Sequence, residues 1–266
     1  MEMNFSQVKK IPPSFAGVLV EWKIGSKEIT ATIIDLVVHD FLGTSGNIVF
    51  LTGKKTGLKP FEEQFMQKLF GETKSLVFEE IAETAYKKYS GELLKIICHG
   101  MITKGLIYKD FQKRFAQGIN QALTETFGQQ AQLKIPKNTK PIIIPPWIFR
   151  LFIGLFGLKG LYNYFEKKIF QKMGGSREEV MLTENGKNQK QEVLLLKNFM
   201  DKFPMVEDRL ANELASYSIA FGIGKQWMKK LGGRTALAKE LLEKLEGHDD
   251  TTARFIDIDS YLKEFQ

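Results

Sequence analysis

The sequence predicts a mainly α-helical protein with a minor β component. Apolar residues recur at helical spacing along most of the chain, and glycine and proline interrupt these patterns at intervals. One short run, Ile48–Leu51, has the clear pattern of a strand. The 266 residues are 43% hydrophobic and 26% charged, which is typical of folded proteins and argues against general disorder.

Residues 1–56 have the pattern of a winged-helix-like module. A first helix is predicted after Pro12-Pro13, and a second from Ser26 to Gly43, a residue type that often ends helices. Ile48–Leu51 then lies between two glycine turns. Helix, helix and small β-hairpin is the chain order of a winged helix-turn-helix.

A second helical, winged-helix-like module is predicted over residues 57–130. Its amphipathic helices are expected at 58–70, 79–89, 91–105 and 110–127. Residues 106–108 have the pattern of a returning strand.

The composition changes after residue 130. Residues 131–173 combine a lysine- and proline-containing linker with the most apolar stretch of the chain, residues 142–158. Residues 174–266 are predicted to form a C-terminal helical block, in which 174–191 is expected to be mostly loop. Within this block, residues 217–227 are expected to pack back on the modules.

The apolar stretch is short for a membrane span. Its 17 residues would cover about 25 Å as one helix, whereas a hydrocarbon layer is about 30 Å thick. Pro145-Pro146 interrupts a continuous helix, and Arg150 lies inside the stretch. A helix lying in the membrane interface fits better, although a buried core helix, an oligomer contact and a true span remain alternatives. The predicted membrane-contact residues combine aromatic and basic side chains: Trp147, Phe149, Arg150, Phe152, Phe156, Lys159, Lys167 and Lys168.

No catalytic, cofactor or metal site is recognisable in the sequence. His39, His99 and His248 are isolated, and Cys98 and His99 are neighbours that point about 100° apart on a helix. The glycine run at 232–233 lacks the lysine and spacing of a phosphate-binding loop. We therefore expect a non-enzymatic protein without a cofactor.

The net charge of +7 favours acidic partners, either an anionic membrane face or nucleic acid. The alternative, a nucleic-acid face, would contain Lys87, Lys88, Lys95, Lys104, Lys109, Lys113 and Arg114. Residues 91–101 offer no arginine, asparagine or glutamine for base readout, so such binding would be independent of sequence.

One cysteine, Cys98, excludes an internal disulfide, and the first ten residues lack the apolar core of a secretory signal. We therefore expect a cytoplasmic protein associated with the cytoplasmic face of a membrane.

Four regions carry a resemblance to a known family. Residues 12–17 (PPSFAG), 31–36 (ATIIDL), 58–70 and 217–222 (YSIAFG, followed by Trp227) resemble the cytoplasmic part of predicted membrane proteins, domain-of-unknown-function family 2207. The resemblance implies winged-helix-like modules near a bilayer, with no established reaction. It also implies spanning helices between the matched regions, where this sequence has only residues 142–158.

The sequence thus predicts a membrane-peripheral interaction or scaffold protein. Its expected partner is an anionic membrane surface or a membrane protein. The alternative is a sequence-independent nucleic-acid-binding winged-helix protein.

Overall fold

Helices dominate the computed structural model, which describes residues 10–109, 181–202, 206–231 and 256–257. A small three-stranded antiparallel sheet accompanies them, which confirms the mainly α class with a minor β component. The predicted helix at 110–127 and the apolar stretch at 142–158 lie outside the described residues.

The first module follows the predicted order. Helix α1 (Pro13–Glu21) begins with proline at its first position, where the missing N–H costs no hydrogen bond. It ends at Trp22, whose left-handed φ of 54° reverses the chain into strand β1 (Lys23–Ile24). Helix α2 (Ser26–Val38) and strands β2 (Leu42–Ser45) and β3 (Ile48–Leu51) follow.

The prediction that Gly43 ends the second helix was wrong. The helix ends at Val38, and the chain turns at Asp40, whose φ is 59°. Gly43 instead lies in β2 opposite Phe50, whose ring would be 2.4 Å from a Cβ atom at Gly43. The glycine therefore makes room for an aromatic ring across the hairpin.

The next stretch contains four further elements. Helix α3 (Pro60–Phe70) leads to strand β4 (Ser75–Val77), which pairs with β3. Helix α4 (Phe78–Ala82) continues as a π-helical turn (Glu83–Lys88), and helix α5 (Ser90–Thr103) follows. The predicted strand at 106–108 is only an isolated antiparallel bridge between Ile107 and Leu182.

The C-terminal block contributes helix α6 (Glu184–Asp201), helix α7 (Asp208–Ala220), helix α8 (Gly224–Leu231) and strand β5 (Ile256–Asp257). The start of α6 contradicts the predicted loop at 174–191, because residues 184–191 are helical. Residues 184–191 show little apolar periodicity, since only Gly186 is buried among them. The other buried residues of α6 are Val193, Leu196 and Met200. Strand β5 pairs antiparallel with β1.

The chain divides into two compact units. One contains Met1–Leu106 and Asn185–Tyr261, and the other contains Ile107–Glu184 and Leu262–Gln266. In the first unit, α2 packs against α1 and α7, and α3 packs against α5. Phe15, Phe65 and Trp227 are among its largest fully buried side chains. Helix α7, which contains Tyr217 and Ala220, packs on α1 and α2 as expected for the start of residues 217–227. The predicted domain boundaries and the winged-helix relationship stay predictions.

Candidate functional site

The predicted membrane-contact residues all lie outside the described residues. The structure does describe where the chain enters and leaves the interval that contains them. The main-chain N–H of Tyr108 donates to the carbonyl of Met181 at 3.0 Å, and Ile107 bridges to Leu182. The two ends of residues 109–180 are therefore held side by side. Among the helices of the described ranges, none is both long and apolar enough to cross a membrane.

Five of the predicted nucleic-acid-contact residues are described, whereas Lys113 and Arg114 lie outside. Lys87 and Lys88 are exposed before α5, and Lys104 follows the C-terminal end of that helix. Because α5 has 14 residues, the two groups are separated by about 21 Å along its axis.

Lys104 is also engaged locally. Its ammonium donates to the main-chain carbonyl of Lys10, and burial lowers the pKa of Lys104. Of the remaining two, Lys95 is half-buried on α5 and Lys109 is exposed after it. Lys87 and Lys88 therefore do not form one compact face with Lys104.

Cys98, His99 and His39 lie in separate environments. Cys98 is fully buried, and burial raises the pKa of its thiol to about 12. His99 is exposed on the same helix. His39 caps the end of α2, with its Nδ1 2.9 Å from the main-chain oxygen of Asp35 and 3.4 Å from the carboxylate Oδ1. The hydrogen bond to Asp35 raises the pKa of His39.

The structure reveals a group of polar residues that the sequence analysis missed. The Ser216 hydroxyl donates to Asp35 Oδ1 at 3.2 Å, and the Tyr217 hydroxyl donates to the carbonyl of Ile11 at 2.6 Å. Ser216, Tyr217 and Asp35 are buried. We call Asp35, His39, Ser216 and Tyr217 the polar joint, because they connect α7 to α2 and to the residues before α1.

A small cleft borders the polar joint. Its volume is about 40 Å³, enough for one or two water molecules but too small for an ordinary substrate. Its two basic side chains already have carboxylate neighbours, since His39 lies against Asp35 and the Lys59 ammonium is 2.5 Å from Glu62 Oε1. The cleft is lined by Ile11, Pro12, Pro13, Asp35, His39, Lys59, Glu213 and Tyr217. This arrangement favours a structural role over substrate binding.

A buried carboxyl group, Glu28, lies where α1, α2 and α7 meet. Its Oε2 accepts a 2.7 Å hydrogen bond from the N–H of Gly25, whereas its Oε1 has no hydrogen-bond partner among the described residues. The Lys27 ammonium is 3.8 Å from Oε1. The pKa of Glu28 is raised to about 8, mainly because the side chain is buried.

Within the described ranges, no group of three or more histidine, cysteine, aspartate or glutamate side chains is arranged to hold a metal ion.

No family model matches this chain, and no curated protein or solved structure matches it. The resemblance to family 2207 therefore stays a prediction that depends on the four sequence regions alone.

Proposed function

We propose that this protein is a non-enzymatic, membrane-peripheral interaction protein that contacts anionic lipid through residues 142–168. The observation that carries the proposal is the hydrogen bond between Tyr108 and Met181. It supports the proposal because the interval with the predicted contact residues begins and ends at neighbouring main-chain positions.

The side chains of this interval support an interfacial contact. Trp147, Phe152 and Phe156 supply apolar surface, and Lys159, Lys167 and Lys168 supply charges for phosphate headgroups. Aromatic and basic residues in this combination favour the boundary between headgroups and acyl chains over the bilayer centre.

The test is flotation of the purified protein with anionic and with neutral liposomes. We expect binding to the anionic liposomes and its loss in the variant Trp147→Ser, Phe152→Ser, Phe156→Ser. Ile48→Ser is the matched control, because Ile48 is 44% exposed at the tip of the β2–β3 hairpin. Wild-type protein that binds neither liposome would refute the proposal. Duplex DNA binding with a steep salt dependence and no lipid binding would support the nucleic-acid alternative instead.

A deletion variant that lacks the proposed contact interval provides a second test of the same proposal. Residues 110–180 are replaced by a glycine–serine linker of about five residues, which spans the short distance between the hydrogen-bonded ends. We expect a cooperative unfolding transition to persist while liposome binding is lost. A folded deletion variant that still binds as strongly as the wild type would contradict the assignment of the contact to this interval.

A further inference from the structure

Glu28 lies between two helix ends that act on its charge in opposite directions. It is the third residue of α2, and its Oε2 accepts a hydrogen bond from the N–H of Gly25 as part of a capping box. The N-terminal end of α2 carries a partial positive charge, which favours a carboxylate at this position. Helix α2 by itself therefore stabilises the ionised form of Glu28.

The C-terminal end of α7 has the opposite effect. Ala220 is the last residue of α7, and its carbonyl oxygen lies against Gly17 of α1 beside Glu28 Oε1. A Cβ atom at Gly17 would be 2.8 Å from the first oxygen and 2.9 Å from the second. The end of a helix with its free carbonyl groups carries a partial negative charge, so the docked α7 disfavours a carboxylate at Glu28.

Burial adds to the effect of α7. The Glu28 side chain is fully buried, and its Oε1 has no hydrogen-bond partner among the described residues. A charged oxygen at this position would lose its hydration without gaining a hydrogen bond. This loss raises the pKa of Glu28. The docked arrangement of α1, α2 and α7 therefore fits a protonated Glu28.

The charged and titratable groups of the other elements do not remove this conflict. The Lys27 ammonium is 3.8 Å from Glu28 Oε1, but it also pairs with Glu21 of α1, whose charge opposes the ionisation of Glu28. The Cys98 thiol of α5 is buried, and its pKa is raised to about 12, so it stays neutral. From α7, Glu213 and Tyr217 line the cleft at the polar joint.

Of the three helices around Glu28, α7 is the one that can leave. Residues 22–25 alone join α1 to α2, which keeps these two helices together. Helix α7 is far from both in sequence, and the polar joint supplies its hydrogen bonds to them. Helix α8 packs on α7, so the two would separate together. Water would then reach Glu28 while its capping box in α2 stays formed.

We infer that Glu28 is a pH-sensitive switch whose ionisation releases α7 and α8 from α1 and α2 while α3 stays folded. The inference does not depend on the proposed lipid contact. The docked form holds a proton that the released form has lost, between the ordinary pKa of 4.5 and the raised pKa of about 8. The released population should therefore grow about tenfold per pH unit in this interval and level off above it.

Hydrogen–deuterium exchange read by mass spectrometry tests this inference helix by helix. Rates at pH 5.5, 6.5 and 7.5 are divided by those of an unstructured chain at the same pH, which gives the protection of each helix. We expect α7 and α8 to be at least about tenfold less protected than α3 at pH 7.5, because they open separately. Their protection should fall about tenfold per pH unit.

Two variants assign the pH dependence to Glu28. Glu28→Gln keeps the acceptor for Gly25 and cannot ionise, so the protection of α7 should change less than about threefold per pH unit. The remainder allows for His39 at the polar joint, whose pKa is raised by its hydrogen bond to Asp35. Glu80→Gln removes an exposed carboxylate from the same position of α4 and should behave like the wild type.

Two results would overturn the inference. Equal protection of α7 and α3 at every pH would show that Glu28 acts only on the unfolding of the whole chain. A dependence of about threefold or more per pH unit that Glu28→Gln retains would assign the effect to another group. The first comparison uses the wild-type protein alone, so it decides the question even if the variant does not fold.

Discussion

The wild-type protein should become less stable as pH rises because of the ionisation of Glu28, and the variant Glu28→Gln should not show this effect. The Glu28 side chain is fully buried, and its pKa is raised from 4.5 to about 8. Its charged neighbours are Lys27, which favours ionisation, and Glu21, which opposes it. The Cys98 thiol on α5 also interacts with the Glu28 charge, and α7 contributes the carbonyl of Ala220 nearby.

The sign follows from the direction of the shift. Below pH 4.5 Glu28 is protonated in both the folded and the unfolded chain, so it adds no pH dependence. Between pH 4.5 and about 8 the folded chain keeps a proton that the unfolded chain has lost. The free energy of unfolding therefore falls by about 1.4 kcal/mol per pH unit, or about 5 kcal/mol over the whole interval.

Urea unfolding followed by circular dichroism between pH 5 and 8.5 measures this effect. Glu28→Gln keeps the acceptor for Gly25 and cannot ionise, so its advantage over the wild type should grow with pH. Glu80→Gln is the matched control, because exposed Glu80 accepts the same type of bond from the N–H of Val77, at 3.2 Å. A difference between wild type and Glu28→Gln that stays constant across this range would refute the reasoning.

Four other predictions test the packing and the titrating groups. Gly17→Ala would place a Cβ atom 2.8 Å from a main-chain carbonyl oxygen of α7, and we expect about 1–3 kcal/mol of destabilisation in thermal unfolding. Gly91→Ala, with open space at its Cβ position, should stabilise by up to about 1 kcal/mol. Cys98 should react with a thiol reagent at neutral pH only in urea; fast reaction of the native protein would contradict its burial. By NMR, His39 should titrate above 6.5, and Asp35→Asn should lower its pKa; His39 then contributes stability at low pH that is lost as pH rises through its folded pKa.

Local patterns predicted much of the fold. The proline start of α1, the long apolar face of α2 and the hairpin at Ile48–Leu51 all depend on residues close in sequence. The predicted helix end at Gly43 was wrong because the role of this glycine depends on the ring of Phe50 on the neighbouring strand. The first turns of α6 misled it because their polar residues lie on a helix that buries few side chains.

The polar joint was much harder to predict. The hydrogen bond between Ser216 and Asp35 connects residues 181 positions apart, and the bond from Tyr217 to Ile11 spans 206. Contacts between residues so far apart along the chain leave no periodic pattern from which a single sequence could predict them. The available clue is Asp35 itself, a carboxylate inside the apolar face of α2, where burial requires hydrogen-bond partners. That clue indicates that partners exist but not which helix supplies them.

The polar joint and the Tyr108–Met181 bond have a common consequence for function. The joint fixes α7 on α2, and the main-chain bond fixes the two ends of residues 109–180 beside each other. Described residues therefore hold the chain in place before and after that interval. Substitutions of the predicted aromatic contacts should then change lipid binding without changing the unfolding of α1, α2 and α7. The buried polar joint is therefore the basis of the expected stability, and residues 142–168 are the basis of the proposed membrane contact.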